Sequence, residues 1–273
     1  METIMTQGAV IFAYNTDLYE YTRIATVAAR RIQHYLDIPV TLVTDSDSVT
    51  DSDFDRVIIQ DNDREQARFR GTELEQWRNF DRHLAWDLSP YDRTLLVDAD
   101  FIVASDSLKS IMNSDLEFAC HRSQMMITGE HFHRREVFGN HEIPTLWATV
   151  VAFDRSRFSE TVFSRWKQIQ EHYQYYAQLH RFISAPYRND YALSMALHQA
   201  SGQLGQESSS GSWIPWDLVT VWSDTDIVLD QGTYSMTYTR ITNNLVRKFK
   251  LDLRDHDLHI ANKTWLMNNL EAL

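Results

Sequence analysis

Six apolar residues in a row, Ala9, Val10, Ile11, Phe12, Ala13 and Tyr14, predict a buried strand over 9–14. Asn15, Thr16 and Asp17 break it and can cap a helix after it. From Leu18 the apolar positions fall at Tyr21, Ile24, Ala25, Ala28, Ile32 and Leu36, the spacing of a helix with one buried face. Ile38 and Pro39 end it, and 40–44 reads as a second strand running into Asp45. Strand, helix and strand make a βαβ unit, the start of a parallel sheet. The acidic, serine-rich 46–55 reads as a loop and 56–59 as a third strand. Residues 60–73 are polar, with Arg64, Arg68 and Arg70. Residues 74–88 have helical spacing, with Trp77, Phe80, Leu84 and Leu88 toward the core.

A turn over 89–92 leads into 94–103, a run of strand character carrying Asp98 and Asp100. Ser105, Asp106 and Ser107 cap a short helix to Ile111, and 116–120 is another strand. Residues 121–143 are polar and aperiodic, with His121, His131, His133 and His141, and predict a long functional loop or lid. Those histidines lack the spacing of a dedicated zinc site. A strand over 149–153 and a helix over 156–176 follow, the helix carrying Phe163, Trp166, Ile169 and Tyr173 on one face. Arg188, Asn189 and Asp190 precede a helix over 191–199. The Gly/Ser/Gln-rich 201–212 reads as a linker, and 213–238 as short strands. Residues 243–253 hold Arg247, Lys248 and Lys250; 258–263 leads to a terminal helix. No internal repeat is present.

The length of 273 residues suits one α/β domain with a C-terminal extension, a mostly parallel Rossmann-like sheet flanked by helices. A hydrophobic fraction of 43% supplies a core, and 8 Gly with 5 Pro argue against low complexity. One cysteine, Cys120, excludes an intrachain disulfide and fits a reducing cytoplasm. It sits in an apolar strand and reads as a buried small residue. No apolar run approaches the roughly 18 residues of a membrane span, and Glu2 replaces the basic start of a signal peptide. No membrane partner is expected. The net charge of −12 disfavours broad binding to nucleic acid or anionic membrane, while leaving room for a local basic groove.

The chemistry concentrates at Asp98 and Asp100. Spaced i, i+2 at the end of an apolar strand, both would face one way if the strand stays regular. Ligands of open α/β sheets bind at the carboxyl ends of strands. Two hard oxygen ligands there suit Mg²⁺ or Mn²⁺ holding a diphosphate. A polar strand end is the plain alternative.

These segments together resemble a GT-A nucleotide-sugar glycosyltransferase of family-8-like type, over most of the chain from Val10 to Trp265. The likeness rests on Ala13-Tyr14-Asn15, on 77–82 (Trp-Arg-Asn-Phe-Asp-Arg) and on 89–100, with Pro90-Tyr91-Asp92-Arg93-Thr94 before the two acids. It continues through 143–148, Asn189-Asp190-Tyr191, and His259 with Lys263 and Trp265. It also extends to glycosyltransferases encoded by large bacteriophages, some of which modify hydroxymethylated DNA bases. The C-terminal segment 259–265 is shorter than the family's usual one and lacks its Gly and Pro, and the family's Asp-Gln pair stands here as Asn189-Asp190.

The resemblance implies a metal bound by Asp98, Asp100 and His259, with Asp98 also near the ribose. It implies Lys263, and its neighbour Asn262, at the diphosphate. Tyr14 and Asn15 fall at the nucleobase, Asn79 and Arg82 at the donor, Trp147 at the pocket wall, and Asp190 with Asn189 at the acceptor side as catalytic candidates. Each has a plainer reading: turn chemistry for Asn15, a surface Asp81/Arg82 pair, a core tryptophan, a solvated Lys263, a surface His259, and a helix cap for Asn189-Asp190. The nucleotide half would span about 8–105 and the acceptor half about 106–265. The implied reaction moves a sugar, from UDP by expectation, to a hydroxyl acceptor, with a hydroxymethylated base in phage-type DNA as the first guess and a saccharide or protein as the alternative. A nucleotidyltransferase or phosphohydrolase would want further carboxylates for a second metal. A nucleotide-binding module without transfer activity is the non-enzyme reading.

Overall fold

The computed structural model describes residues 5–273 apart from 47–48, 50–52, 63–65, 71–72, 130–136, 183–185, 203–210, 223–226, 231–233 and 243–244; of residues 67–70, 73–75, 211–212, 241–242 and 255 it describes the backbone alone. His131 and His133 fall outside the described residues, as do Arg64, Arg134 and Arg135.

The first βαβ unit forms as the apolar pattern requires. Strand β1 (Gln7–Phe12), helix α1 (Tyr21–Leu36), β2 (Val40–Thr44) and β3 (Arg56–Ile59) come in order, with β1, β2 and β3 parallel. Helix α1 starts later than its spacing suggests, and Leu18 is exposed. The side chain of Asn15 secures its first turn, Oδ1 accepting from the Thr22 N–H at 3.0 Å and from its hydroxyl at 3.1 Å. Asp37 ends it in the left-handed region at φ 58°.

Residues 66–88 depart from the expected helix. Strands β4 (Gln66–Arg70) and β5 (Glu73–Trp77) form an antiparallel hairpin; a single turn at Arg82–Leu84 and α2 (Ala85–Leu88) come next. Register sets Arg68 against Glu75 and Arg70 against Glu73, residue types of opposite charge that favour pairing over a helical period.

Strand β6 (Arg93–Asp98) lies beside β1, parallel to it. The turn before it is tied down: the Tyr91 hydroxyl bonds Thr41 Oγ1 at 2.9 Å, Asp92 accepts from the Thr6 N–H at 2.9 Å, and Arg93 Nη2 donates to the Ile111 carbonyl at 2.8 Å. A Cβ on Gly8 would fall within 2.3 Å of the Tyr91 ring, so this packing requires glycine there. The Pro-Tyr-Asp-Arg-Thr segment therefore anchors the strand that ends in Asp98.

Beyond β6 come β7 (Phe101–Ile102), α3 (Ser107–Met112), β8 (Phe118–His121) and β9 (Gln124–Met126). His121 is thus a buried strand residue, not the start of a loop. A short hairpin of β10 (Val137–Phe138) and β11 (Ile143–Pro144) precedes β12 (Trp147–Asp154). Strand β12 runs antiparallel to β6 and β8. The expected helix over 156–176 breaks at His172 into α4 (Arg157–Glu171), capped by Ser156, and α5 (Tyr173–Leu179). Helix α6 (Asn189–Ala200) begins at Asn189, so Asn189 and Asp190 lie in its first turn. Strand β13 (Gly211–Trp213) pairs with β8, so the expected linker ends inside the sheet.

The central sheet has the order β13-β8-β12-β6-β1-β2-β3. Alternation splits each strand between two cores. Ala9, Ile11, Leu95 and Val97 pack with α1, while Val10, Phe12 and Leu96 pack with α4 and α6. This is the expected α/β class with a mostly parallel sheet. Cys120 is fully buried, and burial pushes its thiol well up. The chain then forms β14 (Leu218–Val221), β15 (Val228–Asp230), β16 (Ser235–Thr242), β17 (Leu245–Asp252), β18 (Leu258–Ile260) and α7 (Lys263–Asn269). A second sheet of order β7-β18-β14-β9 joins this C-terminal part to the segment after Asp100. Among the described residues no helix is long and apolar enough to cross a membrane.

Candidate metal and nucleotide site

The carboxyl ends of β1, β2 and β6 and the start of the antiparallel β12 meet at one edge of the sheet. A cavity of about 260 Å³ opens there, lined in part by Tyr14, Asp98, Asp100, Trp147, His259 and Lys263. This is where open α/β sheets bind ligands.

Strand β6 delivers Asp98, and the chain turns so that Asp100 is buried beneath it. The C-terminal segment reaches them through β18: the Ile260 N–H donates to the Asp100 carbonyl at 2.9 Å, and His259 lies opposite Phe101 in register. His259 Nε2 comes to 3.4 Å from Asp100 Oδ2, and its Nδ1 lies 3.4 Å from Thr220 Oγ1. One ligand atom each from Asp98, Asp100 and His259 fall within 4.8 Å of one another. Two carboxylates and an imidazole at that separation can coordinate a divalent cation, the imidazole favouring Mn²⁺ over Mg²⁺.

Two cations already attend the acids. Lys263 Nζ contacts Asp100 Oδ2 and approaches the carbonyls of Ile260 at 3.3 Å and Ala261 at 3.4 Å. Arg82 Nη1 contacts Asp98 Oδ1. Arg82 is 2% exposed, and its Nε and Nη2 have no hydrogen-bond partner among the described residues. Burial pulls its guanidinium down to about 9, opposed by Asp190 and then Tyr187; it stays cationic at neutral pH. Neither plainer reading holds: Arg82 is buried against Asp98 and not paired with Asp81 on the surface, and Lys263 is buried against Asp100 and not solvated.

Tyr14 is buried at the end of β1 and its hydroxyl pKa is raised, chiefly by burial. The Arg78 guanidinium sits 6.0 Å from its ring centre. Arg78 is fixed by Asp45 at 2.6 Å and by the carbonyls of Asn15 and Asn62. Asn15 itself does not line the cavity, because its side chain holds α1. Asn262 does not line it either; it caps α7, accepting from the Trp265 N–H at 3.0 Å.

Asn189 and Asp190 reach the cavity but are engaged. Asn189 donates to the Asn79 carbonyl at 2.7 Å and accepts from the Tyr187 hydroxyl at 2.9 Å. Asp190 accepts from the Ala148 N–H at 3.0 Å and faces Arg188 Nη2 at 3.0 Å. The helix cap suggested by sequence is absent; these side chains reach β12 and the 78–80 turn instead. Asn79 lines the cavity with its Oδ1 buried and without a hydrogen-bond partner among the described residues, and Trp147 forms a buried wall. Arg78, Arg188 and Trp222 also line it and were not singled out by sequence reasoning. Arg78 and Arg188 each stand beside a residue that was, but no period or spacing marks either; Trp222 lies among short strands with no motif.

Fold and site define an α/β protein with a metal-competent acidic cleft at its strand ends. No protein-family profile matches the chain, and no curated protein does. Among solved structures it is similar to the glycosyltransferase GlyE of Streptococcus pneumoniae TIGR4, at 16% identity and TM-score 0.43, over 76% of this chain and 45% of that one. It is similar to the bifunctional enzyme WbbM, at 12% identity and TM-score 0.43, over 79% of this chain and 40% of that one. It is similar to the galactosyltransferase LgtC with donor and acceptor sugar analogs, at 12% identity and TM-score 0.45, over 76% and 73%. The chain thus spans less than half of GlyE and WbbM. Likeness this remote carries no substrate assignment.

Proposed function

We propose that the chain is a metal-dependent glycosyltransferase of GT-A type that moves a sugar from a nucleotide-sugar, with UDP as the nucleotide, to a hydroxyl acceptor. The carrying observation is the convergence of Asp98, Asp100 and His259 with the buried cations Lys263 and Arg82 at the strand ends. Arg82 and Lys263 balance Asp98 and Asp100, so these four groups carry no net charge. A divalent ion and a diphosphate dianion entering together keep that balance, whereas either alone leaves a buried charge uncompensated.

When bound, the ion acts as a Lewis acid on the leaving diphosphate. Lys263 exchanges Asp100 for a phosphate oxygen, and the buried Arg82 guanidinium adds positive charge beside the donor's phosphates. Tyr14, backed by Arg78, offers a face for the nucleobase. Trp147 and Trp222 give aromatic walls on which a sugar's C–H face can pack. Asp190 acts as a positioning group, holding α6 to Ala148. The nucleotide lies over the half formed by 8–105, with His259 and Lys263 reaching its diphosphate from the C-terminal segment, and the acceptor lies over the rest of 106–265.

The preferred acceptor is a hydroxyl of a saccharide or glycan. The net charge of −12 favours it over a hydroxymethylated DNA base. The test is release of nucleoside diphosphate from a panel of nucleotide-sugars with Mn²⁺, Mg²⁺ or EDTA, comparing wild type with Asp100→Ala. Metal-dependent release from one donor, lost in the variant, establishes the reaction class. No release from any donor, with no metal-dependent nucleotide binding, sinks the proposal. A glycan panel run beside hydroxymethylated DNA then separates the acceptors.

A further inference from the structure

Strands β16 and β17 pair as an antiparallel ribbon, and the first six residues of β17, Leu245 to Lys250, are exposed. Strand β17 is the edge of its three-stranded sheet. At the root, Met236 is buried in the core and Arg240 Nη1 donates to the Thr128 carbonyl at 3.1 Å. Tyr238 stacks on Phe249, ring centres 5.5 Å apart, which stiffens the ribbon between root and end.

Two features of this exposed stretch point to one kind of partner. Leu245 and Val246 open β17 at 58% and 65% exposure, adjacent aliphatic side chains on opposite faces. Arg247, Lys248 and Lys250 follow at once, and of these Lys250 meets a carboxylate, Asp230, at 3.3 Å on the surface. The ribbon from Ser235 to Asp252 carries four cations and one carboxylate, in a chain of net charge −12. Two exposed aliphatic side chains followed by lysine and arginine are a pattern that seats on an anionic bilayer, with the aliphatics at the acyl boundary and the cations on phosphates. Nucleic acid offers no partner for Leu245 and Val246. A second copy paired along β17 would bring its cations against their equals.

We propose that this ribbon docks the protein on membranes rich in anionic lipid, through Leu245 and Val246 at the acyl boundary and Arg247, Lys248 and Lys250 on the headgroups. The idea stands apart from the donor chemistry, and its test uses no turnover.

The experiment is co-sedimentation of the full chain with vesicles of phosphatidylcholine alone or with about 30% phosphatidylserine. Wild type should partition to the anionic vesicles only and be released as salt rises from about 50 mM to about 500 mM. Lys248→Ser with Lys250→Ser should weaken partitioning roughly twenty-fold, at about five-fold per cation. Leu245→Ser with Val246→Ser should weaken it while leaving the salt dependence as in wild type. Lys248→Arg with Lys250→Arg should bind as wild type, and circular dichroism should show every variant folded; if the serine pair fails to fold, single Lys248→Gln replaces it. Equal partitioning to both vesicles, or none to either, overturns the proposal. So does binding to a DNA duplex without vesicle binding, or a dimer that Leu245→Ser with Val246→Ser dissolves without vesicle binding.

Discussion

His259 Nε2 lies 3.4 Å from Asp100 Oδ2, although the two residues belong to opposite halves of the chain. Strand β18 makes that meeting, and Thr220 Oγ1 steadies the other ring nitrogen at 3.4 Å. In the tautomer whose Nδ1–H donates to Thr220, Nε2 carries the lone pair that a metal ligand needs. Thr220→Val should therefore weaken Mn²⁺ binding about ten-fold, and His259→Ala by more, with the fold retained. Calorimetric titration of Mn²⁺ in the presence of UDP measures both.

Charge balance within the cleft gives a second expectation. Lys263 and Arg82 already neutralise Asp100 and Asp98, so the fold does not need a metal. EDTA should leave the melting temperature unchanged. Mn²⁺ or UDP alone should raise it little, and the two together by several degrees, as expected for about 2–3 kcal/mol of linked binding. Differential scanning fluorimetry with the four combinations checks this.

Arg82 is the buried half of its pair, while Asp98 is 25% exposed. Removing the cation leaves a partly buried carboxylate unbalanced. Arg82→Met should cost about 2–3 kcal/mol, the low end for a broken buried pair because Asp98 keeps some solvent. Urea unfolding at neutral pH reads the loss.

Asp190 distinguishes a base from a positioning group. Its oxygens hold the Ala148 N–H and Arg188, so Asp190→Asn keeps the Ala148 bond and loses the charge pair. Turnover should fall by no more than about ten-fold in Asp190→Asn and much further in Asp190→Ala. A general base would lose 10²–10⁴-fold in both. Initial rates with the donor that the nucleotide-sugar panel identifies decide it.

A histidine cluster away from the site makes stability depend on pH. His180 is buried, its Nδ1 lies 2.8 Å from His141 Nδ1, and its ring centre is 6.1 Å from that of His198. Burial, then His141 and His198, lowers its pKa to about 4. Between the unfolded value near 6.5 and about 4 the unfolded chain binds the extra proton, so stability is complete above pH 6.5 and declines as pH falls toward 4. The loss should be on the order of 2 kcal/mol, and His180→Phe should flatten the slope relative to wild type. Urea midpoints at pH 7 and pH 5 measure it.

Much of the frame was legible because apolar periodicity reports burial directly. The βαβ start, the strand ending in Asp98 and the acids themselves follow from local pattern. Residues 74–88 misled because Leu74, Trp77, Phe80, Leu84 and Leu88 keep helical spacing, while the pairing partner of Glu73–Trp77 lies in a stretch that looked only polar. Arg82 was expected at the donor, with a surface pair to Asp81 as the plainer reading; its actual partner, Asp98, is distant in sequence and no local pattern marks it. Asn15, Asn189 and Asn262 have amides engaged in holding α1, the 78–80 turn and α7, and of the three Asn189 lines the cavity.

The sequence by itself determined the α/β class, the strand that carries Asp98, and the acidic chemistry at its end, because these depend on side-chain period and residue type within a few positions. Only the tertiary structure decided that β18 would bring His259 and Lys263 to Asp100, that Arg82 would be buried against Asp98, and that the basic stretch after Leu245 would lie exposed on an edge strand. Those outcomes depend on strand order and register between distant segments, which no local pattern encodes.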